Sequence, residues 1–416
     1  MKNIKTIQPL LLQTKKASIS IARLKKGARK KLVKNIADAI KSNQSFIIAE
    51  NKKDVDIMDD DDPKKDRLML DTERIGWMIA DAKKVAELEE YTGKILIERT
   101  LENGIKLQKI SVPLGVVGII YESRPNVTLD AICLTLKSGN GVVLRGGSDA
   151  VNSNKAIVKI VNEVLIKAGL DSNIVQLLPI ERVFVKELLE AEKYVDVIIP
   201  RGSQNLINFV RENSKIPTIE TGAGVCHTFV EKTADLEMAK NIVLNAKLQR
   251  PSVCNALDTI LVSEEIAETF LPMIIKEFEK DSVGIFADKK SFEILARYSY
   301  LNHAKSEDFG REFLGYGCSI KVVKDEEEAL EHIAENSSKH SEAIVTQDMA
   351  LAERFLTEVD SAAVYHNAST RFTDGGIFGL GAEIGISTQK LHARGPFALE
   401  KLVTEKWILR GDGQVR

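Results

Sequence analysis

The stretch GVVGIIYESRPNVTLDAICLTLKSGNGVVLR, from Gly115 to Arg145, decides the predicted fold of this chain. It opens with a strand-like apolar run at residues 115–120 and continues with a segment of helical spacing between Pro125 and Gly139. A second apolar run follows at residues 142–145. A strand, a helix and another strand in this order predict a parallel βαβ unit.

The same alternation continues in both halves of the chain. Further apolar runs lie at residues 174–178 and 195–199, and each precedes a helical segment. A second alternating block runs from residue 235 to about 364, with predicted strands at 257–262, 320–323 and 343–346. We therefore predict an α/β fold with two doubly wound domains, whose parallel sheets bind ligands at the carboxyl ends of their strands.

A β-hairpin is predicted before this alternating region. Residues 94–101 and 105–112 are strand-like and are joined by Glu102-Asn103-Gly104, and Asn-Gly between two such runs is a strong hairpin signal. The chain before it is helical in pattern: over residues 15–58 the apolar side chains, among them Leu32 and Ile36, recur on one face. The hairpin has no evident sheet to join, so we interpret it as an edge ribbon or as an arm that reaches another subunit.

Composition narrows the class of protein. The chain has 416 residues, 44% of them hydrophobic and 28% charged, with a net charge of −2. This balance gives no reason to expect a nucleic acid or an anionic membrane as partner. Four scattered cysteines without a CxxC pair are typical of a reducing compartment, and no apolar run approaches the 20 or so residues that span a bilayer. A cytoplasmic enzyme is the prediction, and no histidine spacing indicates a metal site.

Two strand-to-helix turns are candidates for binding phosphate. Arg145-Gly146-Gly147-Ser148 ends one predicted strand and opens a helix, and Pro200-Arg201-Gly202-Ser203 does the same further along. Glycine lets a ligand approach the backbone, and the helix N-terminus offers free N–H groups to an anion. The alternative is a simple glycine turn with a serine N-cap. A GxGxxG fingerprint is absent from the sequence.

Two further stretches carry reactive side chains. Glu220 precedes Thr221-Gly222-Ala223-Gly224, and Cys254 lies in the polar loop Gln249-Arg250-Pro251-Ser252-Val253-Cys254-Asn255. A cysteine in such a loop is either an exposed thiolate nucleophile or an inert thiol, and Glu220 alone is either a base or a solvated turn residue. The residues themselves leave both alternatives open.

Taken in order, these stretches resemble the aldehyde dehydrogenase superfamily over nearly the whole chain. Within it, four long matches resemble the branch of gamma-glutamyl phosphate reductases. They are YESRPN at 121–126, LQRPSVCNA at 248–256, NASTRFTDGG at 367–376 and ISTQKLHARGP at 386–396. The resemblance implies NADPH-dependent reduction of L-glutamyl 5-phosphate to L-glutamate 5-semialdehyde in proline biosynthesis, through a thioester on the cysteine.

The resemblance also assigns roles to individual residues. Cys254 matches the nucleophile, Asn126 the oxyanion-hole asparagine, and Glu220 the general base of hydrolytic members. Gly202 and Ser203 match the pair at the cofactor pyrophosphate, and Gly222 is assigned to the cofactor site with them. Arg145 matches a lysine at the adenosine ribose, and its fork also suits the 2′-phosphate of NADPH. Candidate cations for the substrate phosphate and carboxylate are Arg124, Arg250, Arg371, His392 and Arg394.

Other functions on the same fold remain as alternatives. A hydrolytic NAD(P)-dependent aldehyde dehydrogenase would use Glu220 as its base, a coenzyme A–acylating relative would need no phosphate, and a silent binding protein would have a dispensable Cys254. The resemblance further implies a cofactor-binding domain at 1–224 with the hairpin at 92–112, a catalytic domain at 225–366, and a return to the first domain at 367–416. Residues 402–409 are expected to join the oligomerisation hairpin, so we expect a homo-oligomer, a dimer or tetramer. The unstable substrate also suggests association with glutamate kinase.

Overall fold

The computed structural model describes residues 5–59, 62, 65–122 and 124–416 of the chain, and these residues form two compact units. The first unit comprises the chain up to residue 221 together with residues 379–385 and 397–416. The second comprises residues 222–378 and 386–396. Both contain parallel β-sheet with intervening helices, so the predicted α/β class is confirmed.

The first unit begins with helices that precede its sheet: α1 (Gln8–Ala22), α2 (Ala28–Ser42), α3 (Gln44–Val55), α4 (Lys65–Leu68) and α5 (Thr72–Glu87). The continuous helix predicted over 15–58 is therefore three helices. Gly27, with φ +82°, ends the first connection in a left-handed conformation that favours glycine, and Asn43 separates the next pair. The apolar face of α2, including Leu32, Val33 and Ile36, is buried as its spacing predicts.

The sheet of the first unit has four parallel strands in the order β5-β4-β3-β6. Chain order gives β3 (Val116–Tyr121), α6 (Pro125–Lys137), β4 (Gly141–Arg145), α7 (Val151–Lys167), β5 (Val175–Leu177), α8 (Arg182–Leu189), β6 (Val197–Arg201) and α9 (Gln204–Asn213). The chain leaves β3 toward β4 and β5, and then crosses back to add β6 on the other side of β3. The reversal makes the gap between the carboxyl ends of β3 and β6 the topological switch point, where sheets of this kind bind ligands.

The predicted hairpin is present as a separate antiparallel sheet. It pairs β1 (Ile95–Thr100) with β2 (Lys106–Pro113), and β16 (Val403–Arg410) adds to β2 in register, Trp407 opposite Lys109. The turn is closed by the Leu101 N–H donating to the Ile105 carbonyl at 2.8 Å, with Gly104 at φ +85°. The predicted C-terminal partner strand is therefore confirmed, within the same chain.

The second unit contains a seven-stranded parallel sheet in the order β10-β9-β11-β8-β7-β12-β13. Its strands are β7 (Cys226–Val230), β8 (Leu257–Ser263), β9 (Gly284–Ala287), β10 (Leu301–His303), β11 (Gly317–Val323), β12 (Ser341–Val345) and β13 (Ala363–His366). The intervening helices are α10 (Leu236–Leu248), α11 (Glu264–Lys280), α12 (Lys289–Ile294), α13 (Glu326–Asn336) and α14 (Met349–Glu358). Strands β8, β11 and β12 were predicted from the sequence, whereas β7, β9, β10 and β13 were not.

The unit boundaries differ from the expected domain limits. The first boundary lies between residues 221 and 222, three residues before the expected 224. The chain returns to the first unit at 379, then passes back to the second unit for residues 386–396, where the expected limit was a single return at 367. Two short strands, β14 (Gly385–Ser387) and β15 (Gly395–Phe397), pair with each other at these crossings. The functional roles assigned to the two domains stay predictions.

Candidate active site

The switch point of the first unit brings together two stretches singled out in the sequence. The Glu122 N–H, directly after β3, donates to the Arg201 carbonyl at the end of β6 at 3.1 Å. The backbone after β3 is thereby held beside the turn that opens α9. Arg201, Gly202 and Ser203 thus lie at the carboxyl edge of the sheet, as predicted.

The N-terminus of α9 is built to receive an anion. Ser203 caps the helix, its Oγ accepting from the Leu206 N–H at 3.4 Å. The Ser203 N–H and Oγ both donate to the carboxylate of Glu122, at 2.8 and 3.1 Å. Gly202 lets this carboxylate approach closely, because a Cβ on it would stand 2.5 Å from Glu122 Oε2 and would displace the end of that side chain. A carboxylate of the chain itself therefore lies where the cofactor pyrophosphate is expected.

The N-terminus of α7 is different, since a carboxylate of α3 closes it. Asp54, which is buried, accepts from the N–H groups of Asn152 and Ser153 at 3.1 and 2.8 Å, and from the Ser153 hydroxyl at 2.7 Å. A 3-10 turn, Ser148–Ala150, also separates the glycine turn from α7. Two N–H groups at the N-terminus of α7, those of Asn152 and Ser153, are thus bound by a carboxylate of the chain, which caps this helix.

Arg145 itself remains well placed for an anion. Its Nη2 donates to the Ile180 carbonyl at 2.7 Å, which holds the guanidinium against the turn before α8, while its buried Nε has no hydrogen-bond partner among the residues that the structure describes. Burial lowers the pKa of Arg145, and the nearby Arg182 lowers it further. An anion bound between the two guanidinium groups would offset their mutual repulsion.

Asn126 lies in the first turn of α6 and is exposed. Its Nδ2 donates to Asp130 Oδ2 at 3.3 Å, across one helical turn. Sequence analysis singled out Asn126 and missed Asp130. The four-residue spacing would have indicated the pair, because residues i and i+4 of a helix are neighbours.

Glu220 follows an isolated parallel β-bridge between Thr218 and Ile198. Its side chain is nearly buried, and its Oε2 lies 3.5 Å from Arg211 Nη1 of α9. Arg124 precedes α6 as its N-cap residue, with its carbonyl accepting from the Val127 N–H at 3.0 Å.

Cys254 lies in the second unit, in the loop between α10 and β8, and is half-buried. Because α10 runs back across the sheet, this loop lies at the amino ends of the strands. The expectation that ligands bind at the carboxyl ends of the strands therefore applies to the first unit, whereas Cys254 lies at the opposite edge of its sheet. The other three cysteines are buried, so Cys254 is the most accessible thiol among the described residues.

Gly224 packs directly against the cysteine backbone. A Cβ on Gly224 would stand 1.4 Å from the Cys254 carbonyl oxygen, so a side chain at this position is excluded. The Gly224 N–H donates to Glu312 Oε1 at 2.8 Å, and burial raises the pKa of the Glu312 carboxyl. Cys226 Sγ, in turn, donates to the Cys254 carbonyl at 3.3 Å. Gly222, assigned to the cofactor site, lies against the side chain of Thr388.

Two of the predicted cations lie beside the cysteine loop. Arg371 Nε donates to Gln249 Oε1 at 3.1 Å, and its Nη1 donates to Asn255 Oδ1. Asn255 is buried and donates to the Thr373 carbonyl at 2.9 Å. Burial and then the nearby Arg250 lower the pKa of Arg371, while Cys254 acts in the opposite direction. Arg250 is exposed and makes no hydrogen bond or ion pair with any other residue that the structure describes.

The remaining candidate cations of the second unit are Arg394 and His392. Arg394 Nη2 binds the carbonyl and the carboxylate of Asp360, at 3.0 and 2.9 Å, and Lys390 lies 3.2 Å from the same carboxylate. Hydrogen bonds from Lys390 and Arg394 hold the pKa of Asp360 at about 2. Arg394 is thus engaged in an ion-pair cluster within its own unit, and His392 is exposed. Among the described residues there is no cluster of His, Cys, Asp or Glu suited to a metal ion, and no helix both long and apolar enough to cross a membrane.

Comparison with known proteins places this geometry in a family. The aldehyde dehydrogenase family model matches residues 5–293. A gamma-glutamyl phosphate reductase from Chlorobaculum parvum is 52% identical over 403 residues, which cover 96% of each chain. The crystal structure of a gamma-glutamyl phosphate reductase from Thermotoga maritima is 41% identical and superposes with a TM-score of 0.95, covering 99% of this chain and all of that one.

A more distant structure shares the fold alone. An acetylating aldehyde dehydrogenase from Geobacillus thermoglucosidasius is 17% identical, with a TM-score of 0.71 over 99% of this chain and 97% of its own. The predicted aldehyde dehydrogenase fold with its hairpin arm is thereby confirmed. On full-length similarity of this extent, the chain belongs to the gamma-glutamyl phosphate reductases of the aldehyde dehydrogenase family.

Proposed function

We propose that this protein reduces L-glutamyl 5-phosphate to L-glutamate 5-semialdehyde, with release of phosphate, as a step of proline biosynthesis. The observation that carries the proposal is Cys254 on a half-buried loop beside two arginines, in a chain similar over its full length to gamma-glutamyl phosphate reductases. An acyl phosphate is already activated, so the reaction needs a good nucleophile more than a strong base.

The chain's residues then have separate tasks. The Cys254 thiolate attacks the acyl carbon, a C–S bond forms, the C–O bond to phosphate breaks, and a thioester remains. The Asn126 amide and the Cys254 N–H donate to the oxyanion, and one such donor typically lowers the barrier by roughly 3 kcal/mol. Arg250 and Arg371 bind the anionic groups of the substrate. Collapse of the reduced adduct then releases the aldehyde and frees the Cys254 thiolate.

The family implies a nicotinamide cofactor, and the first unit has residues that fit one. Ser203 and Gly202 at the switch point would hold the pyrophosphate. Arg145 would hold the adenosine ribose and the 2′-phosphate, since its buried Nε has no partner in the described part of the chain and Arg182 lies nearby. We therefore propose NADPH rather than NADH; when bound, it supplies the hydride that reduces the thioester.

The partner assignments belong to the same proposal. The sheet of β1, β2 and β16, whose outer strands β1 and β16 are largely exposed, supports a homo-oligomer, a dimer or tetramer. The lability of an acyl phosphate in water supports association with glutamate kinase, and the sparse cysteines support a cytoplasmic location.

The reverse reaction tests the chemistry. Purified protein is mixed with pyrroline-5-carboxylate, the cyclic form of the semialdehyde, and NADP, and NADPH formation is followed with and without inorganic phosphate. We expect strict dependence on phosphate. Equal rates without phosphate would mean that water resolves the thioester, and the protein would be reassigned as a hydrolytic dehydrogenase with Glu220 as its base.

A matched pair of variants tests the nucleophile. Cys254→Ala removes the half-buried thiol, and Cys318→Ala removes a fully buried thiol of β11 in the same unit. We expect Cys254→Ala to abolish NADPH formation and Cys318→Ala to keep it, after both are shown to be folded by thermal unfolding. Near-normal turnover by Cys254→Ala would overturn the thioester mechanism.

A further inference from the structure

The side chain of Asp130 holds the side-chain amide of Asn126, the residue that matches the oxyanion donor of the family. The Asn126 side chain is exposed in the first turn of α6, where an unrestrained amide samples several orientations. Its Nδ2 donates one hydrogen to Asp130 Oδ2 at 3.3 Å. An amide nitrogen carries two hydrogens, so this bond leaves the second available to a substrate oxygen.

The surroundings of Asp130 are those of an internal group rather than of a solvated one. It is half-buried on α6. Burial, followed by the charge of Asp81 on α5, raises its pKa to about 7, against the opposing effects of Asn126 and Arg201. An acid held near its neutral form accepts the Asn126 hydrogen while placing less negative charge beside a developing oxyanion than an ordinary carboxylate does.

We propose that Asp130 is a positioning residue that orients the Asn126 amide toward the reacting carbonyl oxygen. The inference rests on the proposed function, because it gives Asn126 the role of oxyanion donor. Preorganised donors stabilise a transition state more than donors that must first be ordered, so the effect of Asp130 belongs in kcat and not in substrate binding.

A double-mutant cycle tests this assignment. Asp130→Ala removes the acceptor, whereas Asp130→Asn keeps an amide oxygen that accepts the same hydrogen. We expect Asp130→Ala to lower kcat about five-fold with KM nearly unchanged, because one net hydrogen bond is lost. Asp130→Asn should restore most of the kcat. In an Asn126→Ala background, Asp130→Ala should lower kcat no further.

The outcomes separate this inference from the proposed function. A normal kcat for Asn126→Ala would overturn the oxyanion role of Asn126 and with it the positioning role of Asp130, whereas the proposed reaction, which is tested by phosphate dependence and by Cys254→Ala, would stand. A reduced kcat for Asn126→Ala, with Asp130→Ala equally harmful in both backgrounds, would overturn the positioning role alone. Glu358→Ala, which removes the i+4 acceptor of Arg354 in α14, is the control for loss of a helical side-chain bond and should keep normal kcat.

Discussion

At the residue scale, three of the predicted substrate cations, Arg371, Arg250 and Arg394, differ in what they already bind. Arg371 is held by Gln249 and by the buried Asn255, so its position is determined by the loop that carries the cysteine. Arg250 is exposed and is placed beside Arg371 without a carboxylate partner in the described part of the chain. Arg394 is engaged by Asp360. Of these three, Arg250 is the one whose charge is available to a substrate phosphate.

Arg250→Ala should therefore raise the KM for inorganic phosphate in the reverse reaction, by about ten-fold for the loss of one charge-assisted hydrogen bond. Arg394→Ala should leave that KM unchanged and lower the thermal unfolding midpoint, because it removes a bond to Asp360. Steady-state kinetics at varied phosphate, together with thermal unfolding, checks both variants. The opposite pattern, a raised KM for Arg394→Ala only, would move the phosphate site to the 386–396 segment.

Sequence motifs identified the reactive residues but not the residues that support them. Cys254 stood out as a cysteine in a polar loop that contains a proline, and the family resemblance then assigned its role and that of Asn126. Glu122 binds Ser203 across 81 residues, and Asp54 binds Ser153 across 99. Such pairs depend on the packing of two elements, so neither periodicity nor local spacing reveals them. Asp130 could have been predicted, because it lies four residues after Asn126 in a segment that was already predicted to be helical.

At the element scale, a carboxylate of the chain binds the N-terminus of each of two helices in the first unit. The two carboxylates differ in burial and in the hydrogen bonds that they accept. Asp54 at α7 is buried and accepts several hydrogen bonds, so it is a structural cap. Glu122 at α9 is half-buried, lies at the switch point, and forms its bonds to the residue expected at the cofactor pyrophosphate. We infer that Glu122 competes with the cofactor phosphates for α9.

Glu122→Gln should therefore bind NADPH more tightly, because removing a negative charge from a helix N-terminus leaves the dipole available to the ligand. A change of about two- to ten-fold in Kd corresponds to the 0.3–1 kcal/mol or more that such charges contribute. Fluorescence titration of NADPH measures it directly. Glu212→Gln, which removes an exposed carboxylate at the C-terminal end of α9, is the control and should leave the Kd unchanged. Weaker binding by Glu122→Gln would show instead that Glu122 is itself a cofactor ligand.

The elements also show where pattern-based prediction stops. The strands β3 and β8 were found because they are buried throughout and consist mainly of apolar residues, whereas β7 is equally buried but has the sequence CHTFV, whose polar residues interrupt the apolar run. The strands β9, β10 and β13 have three or four residues, with partly exposed positions, and give too little pattern to be recognised. The amino-edge position of Cys254 was missed for another reason: strand order and direction determine it, and these are tertiary properties.

At the scale of the whole molecule, the arm is a sheet that lacks a core of its own. Every residue of β1 is exposed, and so are most residues of β16. Exposed apolar side chains on it include Ile95, Leu96, Ile97, Trp407 and Leu409. Exposed edge strands with apolar side chains promote pairing with another chain. The fold of one chain thus leaves a surface that a second copy would bury, which is the physical basis of the proposed homo-oligomer.

A matched pair of tryptophans tests this surface. Trp407 on β16 is 47% exposed, and Trp77 on α5 is 59% exposed, so the residue type and the solvent contact are alike while the location differs. Trp407→Lys places a charge in the proposed interface, where an unpaired cation is costly, and should raise the concentration at which the oligomer dissociates at least about ten-fold. Trp77→Lys should leave the mass unchanged. Light scattering after gel filtration over a dilution series gives both masses. If Trp77→Lys dissociates the oligomer and Trp407→Lys does not, subunits associate through the helical face of α5, and the arm must have another role.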